Sequence, residues 1–287
     1  MNYQEPLFRP PAEAGSLIFQ VAYGCPHNRC RFCGMYKRVR YRLRPEEEVL
    51  AEIADAGRRH PGTARVFLAD GDCMALPFDR LKRYLEALNR TFPSLARVGS
   101  YANGSSIQNR TGEELAALRG LRLHTLYLGL ESGSQEVLDL FGKTEQVEGM
   151  IEAVLRAQAA GLRLSVMVLI GLGGHALRQP HIERTAAALN RMQPRLLSAL
   201  RFIPIPGRPV PPGFEPVTEL EAVEELHELI KRLELDHTVF RANHTSNPVP
   251  LSGRLPQDRE RLCRELECEL ASGTLDRNGP GPLPVEL

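Results

Sequence analysis

Apolar runs alternate with helix-period segments from Ser16 to about Phe240, and this alternation restricts the fold more than any other feature of the chain. A short apolar run reads as a strand, and apolar residues recurring every three or four positions read as a helix. The strand candidates are SLIFQVAY (16–23), ARVFLAD (64–70), ARVGSYAN (96–103), HTLYLGLES (124–132), RLSVMVLIGL (163–172) and LLSALRFIPI (196–205). Between them lie helical patterns at 44–60, with Pro45 near its first turn, at 78–92, and in TGEELAALRGL, where Thr111 and Glu114 form a capping-box pair. QEVLDLF with EQVEGMIEAVLRAQAAG, HIERTAAALNRM and 218–235 continue the series. Strict alternation predicts parallel strands joined by right-handed crossovers. A weak seventh strand at 237–242 ends the pattern short of eight units, so the expected fold is α/β, an open or partial (β/α)6 barrel over 16–242. Residues 1–15 are expected to form an N-terminal arm, and 243–287 a C-terminal extension with one helix (258–271) and a disordered tail.

Charge and hydropathy remove several classes of function. Lys and Arg total 36 against 35 Asp and Glu, so a globally basic nucleic-acid coat is excluded, although local patches are not. The absence of Trp argues further against stacking platforms for single strands. No stretch approaches 18 uninterrupted apolar residues, and the first 15 residues carry acids and prolines where a secretory signal needs an apolar run. A cytoplasmic protein without membrane partners is expected.

Six cysteines occur, at Cys25, Cys30, Cys33, Cys73, Cys263 and Cys268. In a reducing compartment they do not read as a disulfide framework. Three crowd into the nine residues 25–33, at the end of the first strand, with spacings x4 and x2. That density asks for a metal. A structural zinc site wants four protein ligands, and His27 is the available fourth. A cubic [4Fe–4S] cluster held by three thiolates keeps one iron open for a substrate or cofactor to chelate.

The strand-end loop carrying Cys30-Arg31-Phe32-Cys33, with Cys25 upstream, resembles the radical S-adenosylmethionine superfamily, although x4 replaces the commoner x3 between the first two cysteines. The resemblance runs from about residue 16 to 205. It implies that Cys25, Cys30 and Cys33 ligate a [4Fe–4S] cluster and that S-adenosylmethionine chelates the fourth iron. One electron then cleaves the sulfonium to a 5′-deoxyadenosyl radical. ADGDCMALP (69–77) stands where the family has a turn whose backbone holds the methionine amino group, which assigns Gly71 and Asp72 to the cofactor. GLESGSQEVLDLFGK is similar to the branch that includes the oxygen-independent coproporphyrinogen dehydrogenases and the Elongator-like proteins. There Glu131 stands at the ribose position, and Lys143, twelve residues on, at that of the methionine carboxylate. LIGLGG (169–174) places Gly171 beside the adenine, and Phe32 belongs to the same cofactor-binding set. Met167 stands where the branch often has an acid.

The remaining candidates rest on position alone. Cys73 is read as a small buried residue, with a thiol hydrogen donor as the sharper alternative. Cys263 and Cys268 share no helix face and are read as structural. Arg201, Asn243 and His244 lie near the expected barrel mouth and are substrate-contact candidates. Arg29, Arg31, Lys37, Arg38, Arg40, Arg42 and Arg44 surround the cysteine loop, either as a solvated face or as a dock for an acidic electron donor such as flavodoxin or ferredoxin. Short flanks at both ends predict no cobalamin, RNA-binding or acetyltransferase domain. Three functions follow: hydrogen abstraction by a radical enzyme, radical methyl or group transfer, and a zinc-stabilised binding protein without turnover.

Overall fold

The computed structural model describes residues 3–204 and 210–282. In chain order the elements are β1 (Leu17–Gln20), β2 (Ala22–Tyr23), β3 (Arg42–Leu43), α1 (Glu46–Arg59), β4 (Arg65–Ala69), α2 (Phe78–Thr91), β5 (Arg97–Tyr101), α3 (Gly104–Gln108), α4 (Gly112–Gly120) and β6 (Leu123–Glu131). Then come α5 (Gln135–Leu140), α6 (Val147–Ala159), β7 (Arg163–Ile170), α7 (Arg178–Met192), β8 (Leu196–Arg201), α8 (Glu219–Arg232), β9 (Thr238–Ala242), β10 (Leu251–Leu255) and α9 (Arg259–Ser272). The chain divides into two compact units: 1–28, 33–128 and 152–164 form the first, and 29–32, 129–151 and 165–287 the second.

In the first unit β1, β4, β5 and β6 pair in parallel, with Leu17 opposite Val66 and Arg65 opposite Arg97. Val66 through Ala69 of β4 are fully buried, as a strand covered on both faces requires. The amphipathic α1 and α2 bury Val49, Ile53 and Ala56, and Leu81, Leu85 and Leu88. Thr111 caps α4 by accepting from the Glu114 N–H, and the Glu114 carboxylate accepts from the Thr111 N–H, so the capping box is formed. The N-terminal segment is fastened to this unit. Gln4 and Gln20 exchange two hydrogen bonds of 2.9 and 3.0 Å, and the buried Glu13 accepts from the Tyr127 hydroxyl at 2.6 Å.

In the second unit β7, β8 and β9 are parallel. β10 runs antiparallel to β9, with Leu251 opposite Ala242. α7 buries Ile182, Ala186 and Leu189, and α8 buries Ala222, Val223, Leu226 and Ile230.

Four expectations need correction. The run 16–23 is not one strand: it breaks at Val21 into β1 and β2, and β2 pairs with β3 to close a hairpin whose connection, 24–41, is the cysteine loop. The extension after 242 holds β10 as well as its helix, because Leu251 and Leu255 find an open edge on β9 that no local pattern announces. Residues 276–282 do not fray. The Asp276 carboxylate accepts the N–H groups of Asn278, Gly279 and Gly281, and the Pro280 carbonyl accepts from Arg201 at 2.7 Å. Arg44 leaves the solvated basic face: it is 3% exposed and forks onto Glu52 at 2.9 and 3.1 Å. Ile205, the last residue of the sixth expected strand, and 283–287 of the tail lie outside the described residues.

Candidate functional site

In the first unit, the hairpin of β2 and β3 ends in Gly24, whose φ of +75° turns the chain into the cysteine loop. Neither Cys25 nor Cys33 is in a disulfide, and both are partly exposed. The turn after β4 packs directly on the first of them. A Cβ at Gly71 would lie 2.6 Å from the Cys25 Cβ and 2.9 Å from its Cα, so only glycine permits this approach. The Gly71 N–H also donates to the Gly24 carbonyl at 3.2 Å.

Asp72 follows in the same turn, 1% exposed, with its carboxylate fully engaged. Oδ1 accepts from the Ser106 hydroxyl at 2.9 Å, and Oδ2 from the Asn103 amide at 3.1 Å. His27 turns its Nε2 to the same Oδ2 at 3.3 Å. His27 is the fourth-ligand candidate of the zinc alternative, and here it stands beside Asp72. Cys73 is fully buried, and its thiol donates to the carbonyls of Leu68 and Asp70 at 3.2 and 3.4 Å. Burial pushes this thiol up in pKa, away from the thiolate form that reactivity needs.

The residue that organises the loop is Asp70, one position before Gly71 and 1% exposed. Oδ2 accepts the Gln20 side-chain amide at 2.9 Å and the Gly24 N–H at 3.2 Å, and Oδ1 accepts the Tyr36 hydroxyl at 2.8 Å. Gly24 immediately precedes Cys25, and Tyr36 lies three residues beyond Cys33. One carboxylate thus gathers both ends of the cysteine segment onto the end of β4. Burial raises the Asp70 pKa against the pull of these hydrogen bonds. Sequence reasoning passed over Asp70 in favour of Asp72. An acid directly at a buried strand's end, next to a glycine, was the signal that could have found it.

In the second unit, Cys30 lies in the short strip Arg29–Phe32. The Arg31 N–H donates to the Phe141 carbonyl at 2.7 Å, and the Phe32 and Phe141 rings stand 6.1 Å apart. Phe32 packs on the apolar cluster of Val137, Phe141, Leu172 and Phe202.

Glu131 and Lys143 lie close together. Both are 5% exposed, the Lys143 ammonium donates to the Gly129 carbonyl at 2.6 Å, and it lies 3.7 Å from Glu131 Oε1. Glu131 sits at φ +64°, a costly conformation for a side-chain-bearing residue, and its buried Oε2 has no hydrogen-bond partner among the described residues. Burial raises its pKa, with the Lys143 charge opposing. A strained, unsatisfied carboxylate of this kind is a functional-site signature.

A carboxyl pKa raised on folding means that stability is fully present below the ordinary carboxyl range and lost as pH rises through the folded-state value. Glu131→Gln is therefore expected to be more stable than wild type by about 1 kcal/mol near neutral pH. The gap closes in mild acid, which urea unfolding at the two pH values measures.

Gly171, at φ +81°, donates its N–H to Glu225 Oε1 at 2.6 Å, and a Cβ there would meet Val217 Cγ2 at 2.7 Å. Glu225 also lies 3.3 Å from His181 Nε2, and His181 Nδ1 is 2.7 Å from the Ser132 hydroxyl. This buried chain from α8 through α7 supports the ends of β6 and β7, and nothing in the local sequence pattern announced it.

Arg201 is 5% exposed, and its guanidinium holds the Pro280 carbonyl, so it is occupied by the C-terminal segment. Asn243 is exposed. His244 Nδ1 accepts the Ser246 N–H at 3.2 Å, and burial lowers its pKa. No helix among the described residues is long and apolar enough to cross a membrane.

The chain resembles two curated proteins and many solved structures. It is 27% identical over 198 residues to the anaerobic magnesium-protoporphyrin IX monomethyl ester cyclase of Cereibacter sphaeroides, covering 67% of this chain and 31% of that protein. It is 22% identical over 147 residues to the heme chaperone HemW of Bacillus subtilis, covering 50% and 38%. The chain thus spans about a third of the length of these relatives. The coproporphyrinogen III oxidase HemN of Escherichia coli, described as a radical SAM enzyme, shares the fold at a TM-score of 0.52 and 13% identity, over 90% of this chain and 52% of that one. The partial-barrel α/β fold expected from the alternation is therefore the fold this chain has. Residues 19–183, more than half of the chain and including all three clustered cysteines, match the model of the radical SAM superfamily, and the chain belongs to that family.

Proposed function

We propose that the protein is an enzyme that uses a [4Fe–4S] cluster and S-adenosylmethionine to abstract hydrogen from an unreactive carbon of its substrate. One observation carries the reading: a loop of three cysteines outside any disulfide, inside the family-matched segment, whose first cysteine is pressed against a glycine turn that no side chain could replace. Cys25, Cys30 and Cys33 supply three soft thiolates, the donor set that suits iron–sulfur ligation. The group supplies, when bound, one-electron reductive cleavage of a sulfonium and hence a carbon radical.

The chain's own residues supply the rest. Gly71 offers backbone polar groups beside Cys25 for the cofactor's amino group, while Asp72 holds the turn through Ser106 and Asn103. Glu131 presents its unsatisfied Oε2 as an acceptor for ribose hydroxyls, and Lys143 provides the cation for a carboxylate. Gly171 lets the chain pass close to a flat base, and Phe32 adds apolar cover.

Arg29, Arg31, Lys37, Arg38, Arg40 and Arg42 are exposed, with no acidic residue between Glu13 and Glu46. That charge suits docking of a small acidic electron carrier, and the rate at which the carrier reduces the protein should fall steeply with salt.

The test is 5′-deoxyadenosine release by anaerobically reconstituted protein under dithionite. Product above that of a Lys143→Met variant is expected. Release equal to that of protein without iron would refute the proposal.

A further inference from the structure

Beside the cysteine loop, within the first unit, lies a cavity of about 430 Å³ that none of the assigned roles uses. Its accessible apolar lining comes from Pro26, Ala75 and Pro77, with Met74 and Leu76 buried behind them. Its polar lining comes from His27, Ser105 and Ser106, and from Asn109 and Arg110 just past the end of α3. No carboxylate lines it.

Arg110 is the informative residue. Its Nη2 donates to the Met74 carbonyl at 2.9 Å and also to that of Leu76, so the guanidinium is fixed in place. These partners are neutral. Among the described residues no carboxylate lies within ion-pair distance of Arg110, and its Nη1 donates to no protein acceptor. The two nearest acids are already engaged: Glu114 closes the capping box with Thr111, and Asp72 is saturated by Ser106, Asn103 and His27. Burial lowers the Arg110 pKa, which marks a cation taken from water without its counter-charge. Asn109 is exposed, and no side-chain hydrogen bond from it is seen among the described residues.

We propose that this cavity is a binding site for an apolar molecule ending in a carboxylate. The guanidinium offers the two N–H groups of Nη1 to the carboxylate, the Asn109 amide adds a donor, and Pro26, Ala75 and Pro77 take the apolar body. A cation would meet Arg110 with no acid to offset it. A small inorganic anion would leave the apolar wall wet. The volume falls within the range of pockets that enclose small organic ligands. The ligand would rest against Pro26, the residue next to Cys25, so this site delivers its occupant to the cysteine loop.

The test uses the full apo chain, without iron or S-adenosylmethionine, so that its result is independent of the radical reading. Calorimetric titration compares 4-phenylbutyrate, its uncharged counterpart 4-phenylbutan-1-ol, and inorganic phosphate. The acid is expected to bind at least about tenfold more tightly than either comparison probe, and binding should weaken with salt. Arg110→Met should abolish binding. Because Arg110 also braces Met74 and Leu76, Asn109→Asp serves as the second variant: it lies on the surface and sets a negative charge at the mouth. It should weaken the acid at least about tenfold without changing the unfolding midpoint. Equal binding of acid and alcohol, no binding of the acid, or unchanged affinity in Asn109→Asp overturns the proposal.

Discussion

Replacing Cys30 with alanine is expected to remove nearly all of the iron that the wild-type chain takes up on anaerobic reconstitution, and with it all cleavage of S-adenosylmethionine. On the proposed ligation three thiolates would hold the group, and two would not hold a cubane against solvent and oxidation, so iron should fall from about four per chain to below about one. The broad absorbance near about 400 nm that thiolate-bound iron gives should vanish with it. The fold should be indifferent. Cys30 is partly exposed, and the strip around it is held by the Arg31 N–H and the Phe32 ring, neither of which the substitution touches. Apo-protein stability should change by no more than about 0.5 kcal/mol.

Cys73→Ala and Cys268→Ala serve as controls that keep their iron. Cys73 spends its thiol on two core carbonyls, and Cys268 is exposed on α9, remote in sequence from the loop. Full iron content in Cys30→Ala would remove the ligand assignment. Colourless protein holding one zinc per chain, lost on His27→Ala, would favour the tetrahedral alternative instead.

The second large effect belongs to Asp70. Asp70→Ala should destabilise the apo chain by about 3 kcal/mol or more, because three buried N–H and O–H groups lose their acceptor at once: one N–H of the Gln20 amide, whose other N–H keeps the Gln4 carbonyl, the Gly24 N–H and the Tyr36 hydroxyl. Each unsatisfied donor costs about 1–3 kcal/mol, and the side chain also leaves a void. Tyr36→Phe removes one bond and should cost about 1 kcal/mol. Asp70→Asn keeps one acceptor oxygen and should fall between the two.

Urea unfolding measures these costs, and limited proteolysis reports where they act. In Asp70→Ala, cleavage within 24–41 should appear well below the denaturant concentration that unfolds the rest. If the loop stays as resistant as in wild type, Asp70 is only a buried acid and not the clamp of the cysteine segment. Combining Asp70→Ala with Tyr36→Phe gives the coupling directly, since the two share a 2.8 Å hydrogen bond and should be non-additive.

Much of the chain was legible without coordinates, for a physical reason. Strand and helix periods are properties of neighbouring residues, so β4, α1, α2, β6, β7 and α8 appear near their expected limits. The Thr111–Glu114 capping box is equally local, spanning one turn. Cysteine spacing is also local, with three cysteines inside nine residues, which is why this loop pointed to the family that the match over 19–183 shows. Glu131 and Lys143 were singled out by a motif offset, and the one short helix between them, α5, returns the chain so that they lie 3.7 Å apart.

What remained hidden depends on pairings that no window contains. Gly24 and Asp70 are 46 residues apart, and only the parallel register of β1 on β4 brings the two loop starts together. Gly171 and Glu225 meet across 54 residues, and Arg201 and Pro280 across 79. β10 is five residues between two prolines and becomes a strand only because β9 offers it an edge. Arg44 looks like its exposed basic neighbours in the sequence, yet Glu52 draws it inward. The sequence by itself determined the order of elements, the metal-seeking loop and the family, because backbone periodicity and ligand spacing are short-range. Tertiary structure alone decided which buried carboxylates clamp the loop, which carry strain, and which cations lack a partner, because burying a charge depends on whatever the fold sets beside it.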